Sequence, residues 1–156
     1  MILNFYDTRL LEDGSTVLVK EKEKDVNYEP DIANDPGSIV SLMNDVTGMD
    51  RLAEEYCYMI ALNSACRVTG VFFISKGTAN QTLLCPREIY IRALLIGAVM
   101  IVICHNHPSG CARATRADIE TTDKIREVGD LIGIPLMDHI IIGRDEYFSF
   151  VEKGLP

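Results

Sequence analysis

The chain's 156 residues, 47% of them hydrophobic, are enough for one globular domain with a sizeable core. Its 15 Lys and Arg against 23 Asp and Glu leave a formal charge of -8, a field that repels a phosphate backbone, so direct nucleic-acid binding is not expected. The longest apolar stretch, "ALLIGAVMIVIC" from Ala93 to Cys104, falls short of the ~20 residues that span a bilayer, and five cysteines without a CxxC pair or a secretory signal point to reduced thiols in the cytoplasm.

Loose alternation around the turn signal "EDGS" (12–15) predicts an N-terminal hairpin with polar faces, an edge element. The turn-rich "VNYEPDIANDPG" (26–37) reads as a connector, which sets residues 1–35 apart from a main domain of residues 36–156. Pro36 opens a helix in which Ile39, Leu42, Met43 and Val46 recur at helical spacing, with a further turn or two expected from Met49 through "DRLAEEY". "YCYMIAL" (56–62) and "VTGVFFIS" (68–75) predict an antiparallel pair of strands. Pro86 starts a second helix carrying Ile89, Ala93, Leu94 and Ile96 up to Gly97. "AVMIVIC" (98–104) has no polar alternation and reads as a central strand covered on both faces. A helix over 115–132 follows, with Ile119, Ile125, Val128, Leu131 and Ile132 as its apolar stripe and Gly133 as its stop, and then "PLMDHIIIG" and "YFSFVE" as two last strands. The fold class is therefore α/β, a mixed central sheet with flanking helices.

"HNHPSG" (105–110) lies at the carboxyl end of the central strand, where open α/β sheets place their sites. Residues i and i+2 of a strand share a face, so His105 and His107 converge while Asn106 faces the other way. Asp118 falls in the first turn of the next helix, and two imidazoles with one carboxylate make the three-ligand set of a catalytic zinc. Capping alone also explains Asp118, because "TRAD" resembles a capping box with Thr115 at the N-cap, and spacing leaves both readings standing. A base for the attacking water is expected among the acids. Glu54 and Glu55 stand at the entry to the 56–62 strand, and position alone does not separate them from a solvated pair. Cys111 and His139 read more simply as a loop residue and a structural strand residue than as further ligands.

"HNHPSGCARATRAD", together with "KGTANQTLLCPREIY" and "LIGIPLMDHIIIG", resembles the RadC-like proteins of the JAMM (MPN+) metalloprotease family over roughly residues 50 to 152. The resemblance implies a JAMM/MPN-like core related to the cytidine-deaminase fold, one zinc per chain on His105, His107 and Asp118, and Glu55 as the general base. Glu55 is selected because "EYCYMIALN" reproduces the family spacing from its glutamate through the following strand. The family's serine corresponds to Thr115, whose hydroxyl is expected to donate to the developing oxyanion. Cys85, where relatives usually carry His before "PRE", and "CARA" (111–114), in place of a proline-rich loop, are departures that remove no ligand.

The expected function is zinc-dependent cleavage of a peptide, isopeptide or small amide. The alternatives are a non-catalytic interaction module and, by association with the family name alone, a repair-linked protein. Arg113, Arg116, Lys124 and Arg126 follow the histidines, but Asp118, Glu120, Asp123 and Glu127 are interleaved with them as on a solvated helix face. The edge of the N-terminal hairpin offers a route to a homo-oligomer by strand pairing.

Overall fold

The computed structural model describes residues 1–29, 32–77 and 84–155. Most of the "KGTANQTLL" segment, which the sequence marks as shaping a substrate pocket, lies outside the described residues. In chain order the elements are β1 (Ile2–Leu10), β2 (Thr16–Asp25), α1 (Pro36–Thr47), β3 (Tyr56–Leu62), β4 (Val68–Lys76), α2 (Pro86–Leu95), β5 (Met100–Asn106), α3 (Arg116–Ile132), β6 (Leu136–Ile142) and β7 (Tyr147–Ser149), with short 3-10 turns at Ile32–Asn34 and Met49–Arg51. The strands form one mixed sheet in the order β2-β1-β4-β3-β5-β6-β7, with β1/β4 and β5/β6 parallel and the other pairs antiparallel. The N-terminal hairpin extends this sheet through β1, and β2 is its outer edge.

The period of two along each strand sorts the core into two layers. Val102 and Cys104 of β5, Ile60 and Leu62 of β3 and Ile140 and Ile142 of β6 pack with Ile39, Leu42, Met43 and Val46 of α1 on one face. Ile101 and Ile103 of β5, Cys57, Met59 and Ala61 of β3 and Leu136 of β6 pack with Ile89, Tyr90 and Ala93 of α2 and Ile125 of α3 on the other. Each such aliphatic side chain, wholly removed from water, contributes about 1.5–3 kcal/mol before entropy is counted.

Several expectations shift. The central strand runs to Asn106 instead of Cys104, because His105 and Asn106 still pair with β6 opposite Ile141 and Ile142. After α1 only a single 3-10 turn follows, since Gly48 adopts φ 69° and ends the helix. On α2 the buried positions are Ile89, Tyr90 and Ala93, while Leu94 is exposed. On α3 they are Thr122, Ile125 and Gly129, whereas Ile119, Leu131 and Ile132 face solvent. "YFSFVE" is a strand only over Tyr147–Ser149, because Asp138 accepts hydrogen bonds from Ser149 Oγ at 2.6 Å and Val151 N at 3.2 Å and turns the chain back. Among the described residues no helix is long and apolar enough to cross a membrane.

Candidate metal centre

His105 and His107 point to the face covered by α2 and α3, the same face as Ile101 and Ile103. The loop after His107 turns at Gly110, φ 86°, and leads to Thr115, the N-cap of α3. Thr115 and Asp118 form the full capping box: Asp118 N donates to Thr115 Oγ1 at 3.2 Å, and Thr115 N and Oγ1 donate to Asp118 Oδ2 at 2.7 and 2.6 Å. The other oxygen, Oδ1, lies 3.3 Å from His105 Nε2. The capping bonds from Thr115 fall on Oδ2 and leave Oδ1 turned to His105. Thr115, expected as a free oxyanion donor, spends its hydroxyl proton on Asp118 Oδ2 in this arrangement.

One nitrogen from each of His105 and His107 and one oxygen of Asp118 all lie within 4.8 Å of one another. The two Nε2 atoms are 3.0 Å apart, and His107 Nε2 is 3.5 Å from Asp118 Oδ2. His107 Nδ1 sits 3.0 Å from the Cys111 carbonyl, which can only accept, so a neutral His107 presents its Nε2 lone pair to the cluster. Two imidazoles and one carboxylate in this arrangement could hold a metal ion. Burial alone would raise the Asp118 pKa, but hydrogen bonds from His105 and His107, the field of His105 and the hydrogen bond from Thr115 hold it far below the usual carboxylate range. His107 is raised: burial opposes its charge, and Asp118, the Cys111 carbonyl and the nearby Glu55 outweigh it.

Glu55 stands one residue before β3. The β3/β5 ladder pairs Cys57 with His105, and continuing that register sets Glu55 opposite His107 on the same face. Its side chain is buried, and its carbonyl accepts from Gly77 N at 2.8 Å. Glu54 instead turns to Lys76, 3.2 Å away on the surface. The structure so separates the two glutamates that position left open. Asn106, on the opposite face from the histidines, accepts from Tyr56 N at 2.7 Å and donates to Glu54 O at 3.0 Å, clamping the backbone on both sides of Glu55.

Sequence reasoning left His139 as a structural residue, and it did not single out Thr122. His139 is fully buried beside the site, with Nε2 2.7 Å from His105 Nδ1 and Nδ1 2.6 Å from Thr122 Oγ1. Burial, with the field of His105, pushes its pKa well below the usual imidazole value. The available signals were a histidine inside an expected strand and a threonine one helical turn after Asp118. Cys111 is exposed and enters only through its carbonyl.

Residues 33–155 match the RadC-like JAB domain family. The chain is 40% identical over 120 residues to the UPF0758 protein of Clostridium beijerinckii, covering 77% of this chain and 52% of that protein. It is 40% identical over 119 residues to the UPF0758 protein of Staphylococcus epidermidis, covering 76% and 52%. A 42% match over 104 residues relates it to the UPF0758 protein of Clostridium tetani, covering 67% and 46%. The chain spans about half the length of the curated relatives it matches, and their name states no activity.

Proposed function

The chain belongs to the RadC-like JAB domain family, and from that premise we propose that it is a zinc-dependent hydrolase of amide bonds, of the peptidase or isopeptidase kind, with one zinc per chain held by His105, His107 and Asp118. The observation that carries this reading is the convergence of the three ligand atoms with a buried glutamate, Glu55, on the same sheet face. A zinc ion held by His105, His107 and Asp118 would supply Lewis acidity and would bring the pKa of a water towards about 7. Glu55 takes a proton from the attacking water, whose oxygen adds to the substrate carbonyl carbon. The protonated Glu55 then gives that proton to the leaving nitrogen as the C–N bond breaks, releasing an amine and a carboxylic acid, which gives up its remaining proton to solvent. Asn106 keeps Glu55 in register with His107, and Thr115 holds Asp118.

The test is zinc content per chain, followed by cleavage of a fluorogenic panel of peptides, isopeptide-linked peptides and small amides. Glu55→Gln is expected to keep one zinc and to lose about 100- to 10,000-fold in turnover, the usual contribution of a positioned base. Turnover unchanged in Glu55→Gln would sink the assignment of the base. A zinc-loaded parent that cleaves no member of the panel would favour a non-catalytic module in which the metal braces the loop.

A further inference from the structure

From the Nδ1 side of the His105 ring, opposite the Nε2 that faces His107 and the Asp118 carboxylate, runs a buried line of polar groups that the hydrolytic steps do not use. His105 Nδ1 is 2.7 Å from His139 Nε2, His139 Nδ1 is 2.6 Å from Thr122 Oγ1, and Thr122 Oγ1 is 2.6 Å from the carbonyl oxygen of Asp118. His105, Thr122 and His139 are each 2% exposed or less, so the line is shielded from bulk solvent. It begins at the ring of one candidate ligand and ends at the backbone of another.

Donor parity assigns every proton along it. The Asp118 carbonyl can only accept, and an oxygen–oxygen contact of 2.6 Å needs a hydrogen between the two atoms, so the single hydroxyl proton of Thr122 lies there. Thr122 Oγ1 must then accept, which puts a proton on His139 Nδ1 and leaves Nε2 of the neutral ring as a lone pair. That lone pair accepts from His105, which places the His105 proton on Nδ1 and frees Nε2 to face His107 Nε2 and Asp118. On this basis we propose that His139 and Thr122 are positioning residues, which lock His105 in the tautomer that offers Nε2 to the metal by a hydrogen-bond line anchored on the Asp118 carbonyl.

The line is itself held in place. The His139 ring stacks on Phe150, with centroids 5.1 Å apart and planes 6° from parallel. Phe150 is seated by its backbone N–H on the His139 carbonyl at 3.1 Å and by the two bonds of Asp138 to Ser149 and Val151 on either side of it. Neighbouring residues of β6, Asp138 and His139, thus serve one purpose from opposite faces of the sheet: one anchors the C-terminal turn, and the other uses the ring that this turn delivers. A partner fixing the tautomer of a metal-bound imidazole is worth about 10- to 100-fold in metal affinity.

This inference rests on the metal-site reading above. Zinc affinity is measured by competition with a chromophoric chelator in the parent, Thr122→Val, Thr122→Ser and His139→Gln, with circular dichroism as the check of fold and cobalt-loaded absorption spectra as the check of ligand geometry. Thr122→Val keeps the volume and loses the hydroxyl, and it is expected to bind zinc about 10- to 100-fold more weakly with an altered cobalt spectrum, while Thr122→Ser binds as the parent does. Long-range nitrogen NMR of the zinc-loaded parent is expected to find the His139 proton on Nδ1. Parent-like zinc affinity in a folded Thr122→Val, or a His139 proton on Nε2, overturns the relay alone, even if His139→Gln fails to fold. A parent that takes up no zinc overturns the metal-site reading and this role with it.

Discussion

Asp118 illustrates how one side chain serves two masters: Oδ2 receives two hydrogen bonds from Thr115 while Oδ1 is turned to His105. Because Thr115 orients the carboxylate, its substitution should act on the metal before it acts on any oxyanion. Thr115→Ser is expected to preserve zinc binding, whereas Thr115→Val removes the cap, lowers stability by about 1 kcal/mol and weakens zinc binding. Chelator competition beside thermal unfolding checks this. Unchanged affinity with a reduced turnover rate would instead assign Thr115 to the oxyanion.

At the scale of elements, α3 buries the row Thr122, Ile125 and Gly129, a different phase from the stripe its aliphatic residues suggest. That phase is set by Asp118 and Thr122, which must face β5 and β6, and by Gly129, where the chain passes closest to its neighbours. A Cβ at Gly129 would lie 2.3 Å from Tyr90 Oη and 2.6 Å from the Ile134 carbonyl. Gly129→Ala is therefore expected to destabilise, although alanine is favoured by about 1 kcal/mol in an open helix, because overpacking against backbone costs about 1–3 kcal/mol. Thermal unfolding gives the sign, and a higher midpoint would show that the helix has room to move. At the other end of the sheet, β2 is the outer strand, with exposed Lys20 and Lys22 and a bulge opposite Phe5 and Tyr6. Charged side chains and bulges both oppose the edge pairing that would make an oligomer there.

For the whole molecule, the two core layers decide which thiols meet solvent. Cys57 and Cys104 are buried on the two central strands β3 and β5, Cys66 is half-buried, and Cys85 and Cys111 are exposed. Burial pushes the thiol pKa of Cys57 and of Cys104 up, with added repulsion from Cys104 and Asp138 respectively. A folded pKa above the unfolded value of about 8.5 favours the native state below that pH, and the contribution is lost as pH rises because the unfolded chain ionises first. At pH 8 a thiol reagent should label Cys85 and Cys111 quickly and Cys57 and Cys104 only on unfolding, with the thermal midpoint falling above about pH 8.5. Rapid labelling of all five in the folded protein would contradict the buried placement. The cations that follow the histidines lie among acids, with Arg116 2.7 Å from Glu120 and Arg126 3.8 Å from Asp123, so they form no unbroken basic stripe.

Much of this was written locally. The shared face of His105 and His107 follows from the strand period, the helix start at Thr115 and Asp118 from capping chemistry, and the first helix from Pro36 and a clean 3.6-residue stripe. These rules act within a few residues, so sequence alone determined them. Tertiary structure alone decided that Asn106 clamps the backbone around Glu55, that α3 rotates to bury Thr122, and that His139 meets His105. Each of these depends on which strand lies beside which and on the phase in which a helix settles. Both are set by burying apolar surface between segments far apart in the chain, and no local pattern encodes them.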